Sequence, residues 1–264
     1  MPNNISSTAE LAPTFAPEQI VAMLPNDPYE VTRQPQYPYT PALTQALREV
    51  QRIGPLITQD EIRAHCELMG RLALGKESTP LIISGRCAAP VYESVYDAAT
   101  TEAYELRAAA ALGLDDAIHE IRYANQNAKP RTIEWEISDG QRIPAFMGEN
   151  INGTPITERT PDPRRMVFAA AQASAIHASN AKDPLLHAHE ALLLPYELAQ
   201  MYGSHETGTQ YLASSHHVWA GERTRDPSGA HIQLLGSIRN AVGVKLGPTT
   251  TAADIIQLEQ VLNP

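Results

Sequence analysis

Cysteine is scarce in this chain. Cys66 and Cys87 are the only two, too few for a disulfide framework, and such sparing use fits a reducing cytoplasm. No basic stretch followed by an apolar core stands at the N-terminus, so no secretory signal is expected. No apolar run approaches the ~20 residues that a membrane helix needs. Basic charge is also short: 20 Lys and Arg face 30 Asp and Glu, for a net charge of −10. That balance argues against a general role on nucleic acid or on an acidic membrane. An anionic small molecule would need a local basic pocket set against the overall field.

What is present is ordinary for a globular protein. The 264 residues are 43% hydrophobic and 19% charged, enough for one large domain with a sizeable core. Proline is distributed unevenly. Residues 1–41 hold 8 of the 21 prolines and read as an irregular arm, with one short helix near Pro17 to Met23 and disorder over the first dozen residues.

From residue 42 to 264 the pattern is that of an α/β domain. Helices are expected over Ala42–Ile53 and Thr58–Leu74, the second with Thr58 as its cap before Asp60 and Glu61. Strands and helices then alternate: a strand at Leu81–Ser84, a helix over Tyr92–Leu112 and a strand at Ala117–Arg122. Residues 132–160 form a long connection, punctuated by Gly140, Pro144, Gly148, Gly153 and Pro155, that should contain a hairpin. A helix over Arg164–Ser179, a strand at Leu186–His189 and a helix through Met201 follow. The last helix should run over Ala252–Leu262. Alternation of this kind argues for a parallel sheet of about five β/α units.

The stretch Ser215 to Pro248 carries the chemistry. HHVWAG reads as a strand that runs into Glu222, Arg223 and Arg225. His231 to Asn240 has helical spacing, and AVGVKLGP is a second short apolar run interrupted by Lys245. A lysine in an apparently buried strand is costly unless it meets an anion. Neighbouring strands ending in Arg and Lys therefore point to a phosphorylated or carboxylated ligand.

WAGERTRDPSGAH followed by VGVKLGP resembles the class II 3-deoxy-D-arabino-heptulosonate 7-phosphate (DAHP) synthases. SGRCA (84–88), RYANQNAKPRT (122–132) and HEALLLPYE (189–197) agree, in family order, from about Gln34 onward. The resemblance implies a (β/α)8 barrel with its site at the C-terminal ends of the strands. Only about five of the eight units are counted, so the fold expected is a partial barrel with open edges. It also implies a transferase that condenses phosphoenolpyruvate with erythrose 4-phosphate in the shikimate pathway, with Mn²⁺ or Co²⁺ as metal.

Residue by residue, Cys87 matches the family's metal-binding thiolate, although a free cysteine is more often a small buried hydrophobe. The family's remaining metal ligands, a His, a Glu and an Asp, lie past residue 264. Arg122, Arg223 and Lys245 match the groups that hold phosphoenolpyruvate, with structural ion pairs to Glu120 or Glu222 as the alternative for the two arginines. Lys129 and Arg131 match the phosphate ligands of erythrose 4-phosphate, or else a solvated turn. Glu190 and Glu222 orient the cations or handle protons, or serve only as salt-bridge partners. His189 and His231 read as structural. His187-x-His189 with His216-His217 gives a rival reading as ligands of a metal hydrolase, without a matching Asp or Lys pattern.

Two departures from the family stand out. Arg86 and Ala89 replace the Asp and Glu of GGDCAE, and Asn125 and Asn127 replace a Gly and a Tyr in the family's R-I-A-G-Q-Y run. Arg86 in place of the Asp changes the field beside the thiolate by two charges. A second function class stays open: a non-catalytic fragment, or a subunit that completes a barrel with a second chain. A homo-oligomer, and a catalytic variant using an amino-sugar phosphate in secondary metabolism, are further alternatives.

Overall fold

The computed structural model describes residues 12–23, 34, 35, 37, 40–76, 81–84, 118–122, 128–129, 135–144, 147–148, 150–153, 155–179, 186–203 and 208–263. The helix expected over Tyr92–Leu112 lies outside them. The described elements begin with β1 (Ala12–Pro13) and α1 (Pro17–Met23), then α2 (Thr40–Ile53) and α3 (Gln59–Ala73). Next come β2 (Leu81–Ser84), β3 (Ile118–Arg122), β4 (Ala128–Lys129), β5 (Trp135–Ser138), β6 (Gln141–Pro144) and β7 (Met147–Gly148). After α4 (Arg164–Ser179) and β8 (Leu186–Glu190) come α5 (Leu194–Ala199), β9 (Met201–Gly203), β10 (Gln210–Leu212) and β11 (His217–Ala220). The last elements are α6 (Ala230–Ser237), β12 (Ala241–Val244) and α7 (Ala252–Leu262).

The central sheet has five strands in the order β12-β11-β8-β3-β2. Every pair in it is parallel, and each strand lies beside the next sheet strand along the chain. Parallel pairing needs long crossovers, and α4, α5 and α6 lie in them. The main core gathers Leu43, Ala46, Leu47 and Val50 of α2, which recur at helical spacing, with Met166, Leu193, Tyr196, Val218, Ile232 and Leu235. A smaller satellite, Leu56, Ile57, Ile62 and Ala173, sits under α3.

Local signals explain several boundaries. Thr58 caps α3 in a reciprocal box with Glu61, and Thr251 caps α7 in the same way with Asp254. The expected hairpin is β5–β6, whose two-residue turn, Asp139-Gly140, has positive φ at both positions, as a type I′ turn requires.

The short helix expected near Pro17 to Met23 is α1, with Ile20 fully buried, and β1 pairs with β9; residues 1–11 lie outside the described residues. Three expectations are corrected. The helix expected through Met201 stops at Ala199, because Met201 and Tyr202 are buried as a strand between β1 and β10. The helix expected through Asn240 stops at Ser237. Ile238 is extended there, and the Asn240 side chain bonds the backbone of Leu212 and Ser215. Finally, Lys245 lies just past β12 and is 45% exposed, because β12 has only one neighbour among the described strands.

Candidate functional site at the C-terminal strand ends

Parallel strands bring their C-terminal ends to one edge, and most of the chemistry-bearing positions lie there. Arg122 ends β3, with Ala188 of β8 as its register partner. Glu190 ends β8, in register with Trp219 of β11. Glu222 and Arg223 follow β11 in a 3-10 helix, and Lys245 follows β12. Backbone bonds extend the ladder past the strands: Ala191 N–H to Trp219 O at 2.9 Å and Lys245 N–H to Ala220 O at 2.9 Å.

Three of the expected site residues have described neighbours at this edge. Lys245 Nζ donates to Glu190 Oε2 at 3.2 Å and stands 5.3 Å from the centre of the Trp219 ring. Glu190 is largely shielded while Lys245 is half exposed, so the pair opens to solvent on the lysine side. The Glu222 carboxylate lies against Gly247, where a Cβ would overlap it, and the Glu190 carboxylate lies against Gly221 in the same way. Both glycines are needed for closeness of approach. At Gly221 the backbone itself is ordinary, with φ −74.

Arg223 is exposed and makes no ion pair with a described residue, so the Arg223–Glu222 pair considered from sequence is not formed. Lys129 lies in β4, paired antiparallel with Met147 of β7. Cys87 and Arg131 lie outside the described residues, as do the side chains of Arg122 and Lys129. The sequence reading missed Trp219 as a platform under Lys245. Its signal was an aromatic one residue before a strand end.

Beside the edge, a buried polar network fixes the loop after β8. His189 Nε2 pairs with Glu197 Oε1 at 2.9 Å, and Ser214 Oγ donates to Glu197 Oε2 at 2.9 Å. His231 Nε2 bonds Leu192 O at 3.0 Å, and burial pushes its imidazole below the ordinary range. Gln34 of the arm donates to Leu192 O at 2.7 Å and accepts from Leu194 N at 2.9 Å. His189 and His231 are thus structural, as expected. The rival metal-hydrolase reading is not supported. His187 turns to His177, His189 turns to Glu197, and no group of three His, Cys, Asp or Glu among the described residues could hold a metal ion.

Comparison with known proteins points one way. The family model described as the Class-II DAHP synthetase family matches residues 26–182 and 175–264. The phospho-2-dehydro-3-deoxyheptonate aldolase of Streptomyces coelicolor is 30% identical, over 88% of this chain and 65% of its own length. The probable phospho-2-dehydro-3-deoxyheptonate aldolase of Pseudomonas fluorescens is 31% identical, over 89% of this chain and 62% of its own. The chain therefore spans just under two thirds of these relatives. A solved phospho-2-dehydro-3-deoxyheptonate aldolase from Francisella tularensis has a similar fold, with TM-score 0.52 at 16% identity, covering 82% of this chain and 54% of that one.

Proposed function

The chain belongs to the class-II DAHP synthetase family, and on that premise we propose that it binds phosphoenolpyruvate at the C-terminal strand ends and joins it to erythrose 4-phosphate. This is the entry step of the shikimate pathway to the aromatic amino acids. The observation that carries the reading is the state of the cations at that edge. Lys245 rests on Trp219 in a half-exposed pair with Glu190, and Arg223 is exposed without a described partner. The pair opens to solvent on the lysine side, so an incoming phosphate or carboxylate can reach Lys245 directly.

In this reading Arg122, Arg223 and Lys245 hold the phosphate and carboxylate of phosphoenolpyruvate. Lys129 and Arg131 hold the phosphate of the aldehyde. The enol carbon attacks the aldehyde carbon, water adds at the adjacent carbon, and phosphate leaves. Holding the two reactants in line supplies much of the acceleration. Glu190, freed from Lys245, and Glu222 are placed to orient the cations and move protons. Cys87 is the proposed thiolate ligand for Mn²⁺ or Co²⁺. It lies outside the described residues, and these do not fit a metal by themselves, so no step here runs through one.

The sheet is read as an arc of a (β/α)8 barrel, with residues 1–41 as an arm and 42–264 as the incomplete barrel. Five parallel strands in chain order support this reading. A second reading rests on the edges. β2 and β12 each have a single neighbour among the described strands, which suits a subunit completed by a complementing chain or a second copy. No helix among the described residues is long and apolar enough to cross a membrane, and the proposed setting is the cytoplasm.

The test is loss of phosphoenolpyruvate absorbance with erythrose 4-phosphate and Mn²⁺, with Arg223→Ala as control. Turnover abolished in the control supports catalysis by this chain. No turnover from folded protein, restored by adding the C-terminal third of a relative, supports the complementing reading. Turnover with an amino-sugar phosphate in place of erythrose 4-phosphate would move the reaction to secondary metabolism.

A further inference from the structure

At the other end of the strands, five of the chain's nine histidines meet: His65 of α3, His177 of α4, His187 of β8, and His216 and His217 at the start of β11. We propose that this cluster is an acid-sensitive latch, which holds α3 on the sheet at neutral pH and releases it when its rings take up protons.

The geometry constrains the protons on three of the rings. The backbone N–H of His187 donates to His216 Nδ1 at 3.0 Å, so that nitrogen carries no proton. His177 Nδ1 lies 2.8 Å from His187 Nε2, a distance that requires one shared proton. His177 Nε2 faces Glu61 Oε1 at 3.3 Å, which places its own proton there. The remaining proton of the pair lies between His177 Nδ1 and His187 Nε2. A second proton on His216 would point an N–H at the His187 amide.

His65 has even less tolerance for charge. It is 2% exposed, and neither of its ring nitrogens has a hydrogen-bond partner. Its ring centre is 5.9 Å from that of His216 and 5.7 Å from that of His217. Burial, then His217, pushes its imidazole down to about 4. Burial, then His65, pushes His216 down to about 3, against the opposing pull of Glu61. Burial, then His216 and His189, pushes His187 well below the ordinary range. Glu61 is the one carboxylate facing the cluster among the described groups, and it sits at the solvent rim beside His177.

The latch acts on α3 because, among the described residues, the apolar seat of α3 is small. Glu61 and His65 are four residues apart and share one face of the helix. That face otherwise rests on the small satellite core of Leu56, Ile57, Ile62 and Ala173, separate from the main core. Polar contacts add to it, among them Cys66 Sγ to Arg239 O and Gln59 to the Tyr211 hydroxyl. A helix on a satellite core is a unit that can open by itself. The folded imidazole values lie below the free value of about 6.5, so the opened state binds more protons. Attachment is therefore full above pH ~6.5 and weakens as pH falls toward 4, by about tenfold per pH unit for each proton taken up.

The experiment is hydrogen exchange on the full chain at pH 7 and pH 5, corrected for intrinsic rates, comparing wild type with His65→Leu and His177→Gln. The expected result is α3 opening at least tenfold more often at pH 5, with α7 and β11 still protected, and a shallower dependence in His65→Leu, which removes a buried ring, and in His177→Gln, which relieves His216. Exchange in α3 that ignores pH overturns the latch. So does α3 opening only together with α7 and β11, which is whole-molecule acid unfolding. Should His65→Leu fail to fold, His177→Gln at the half-open rim gives the same readout.

Discussion

Replacing Glu197 by alanine should destabilise the chain more than any surface change. The side chain is fully buried, and both of its carboxylate oxygens are engaged, by His189 and by Ser214. Truncation strands two buried polar groups and opens a cavity. Each orphaned group costs roughly 1–3 kcal/mol, and breaking a buried pair by removing one partner costs roughly 3–5 kcal/mol in all. A domain of this kind has only about 5–15 kcal/mol of stability to lose. With a urea m-value of about 3 kcal/mol/M, the midpoint followed by circular dichroism should fall by about 1–1.7 M. Glu197→Gln keeps the volume and one acceptor, and should lose about half as much. The reasoning is refuted if Glu197→Ala unfolds within ~0.3 M of wild type. It is also refuted if the double variant with His189→Ala loses the sum of the two single effects, because coupled partners cannot be additive.

Other outcomes follow from the same structure. Thr58→Ala and Thr251→Ala each remove one side of a capping box and should each cost about 1 kcal/mol in the same melts. Lys245→Met keeps the stem on Trp219 but removes the charge, so phosphoenolpyruvate binding by calorimetry should weaken at least tenfold while the melting temperature moves little; unchanged binding would remove Lys245 from the site. Gly221→Ala forces the Glu190 carboxylate aside and should impair phosphoenolpyruvate binding, with a normal far-ultraviolet spectrum showing that the fold is kept. Overall stability should fall as pH drops from about 6.5 toward 4, since His65 and His216 are held neutral by burial, and His65→Leu should flatten that slope.

Much of the frame was legible from sequence because its signals are local. The Thr58 cap, the helices over Arg164–Ser179 and Ala252–Leu262, and the strand runs at Leu81 and Leu186 each announce themselves within a few residues. Positions at strand ends, such as Glu190, Arg223 and Lys245, could be placed for the same reason. What failed was decided at long range. Met201–Gly203 became a strand because β1 and β10 flank it, and Asn240 left its helix to bond Leu212 and Ser215. The histidine cluster was only half visible for a similar reason: the sequence grouped His187 with His216 and His217, but only the packing of α3 and α4 on the sheet brings His65 and His177 to them. Lys245 looked buried because its apolar flanks suggested an interior strand, whereas β12 has one described neighbour.

The pairing of β1 with β9 bears on the order of assembly. Ala12 is matched with Gly203, so this segment has no seat until almost two hundred residues have been made after it. Closing so long a loop is entropically unfavourable and gains only two residue pairs of ladder. The parallel sheet, by contrast, adds each strand beside the one before and can grow as synthesis proceeds. The N-terminal segment should therefore dock last, as a fastener on a structure that has already formed. Pulse-labelled refolding should show protection of Met201–Gly203 lagging behind that of β8 and β11.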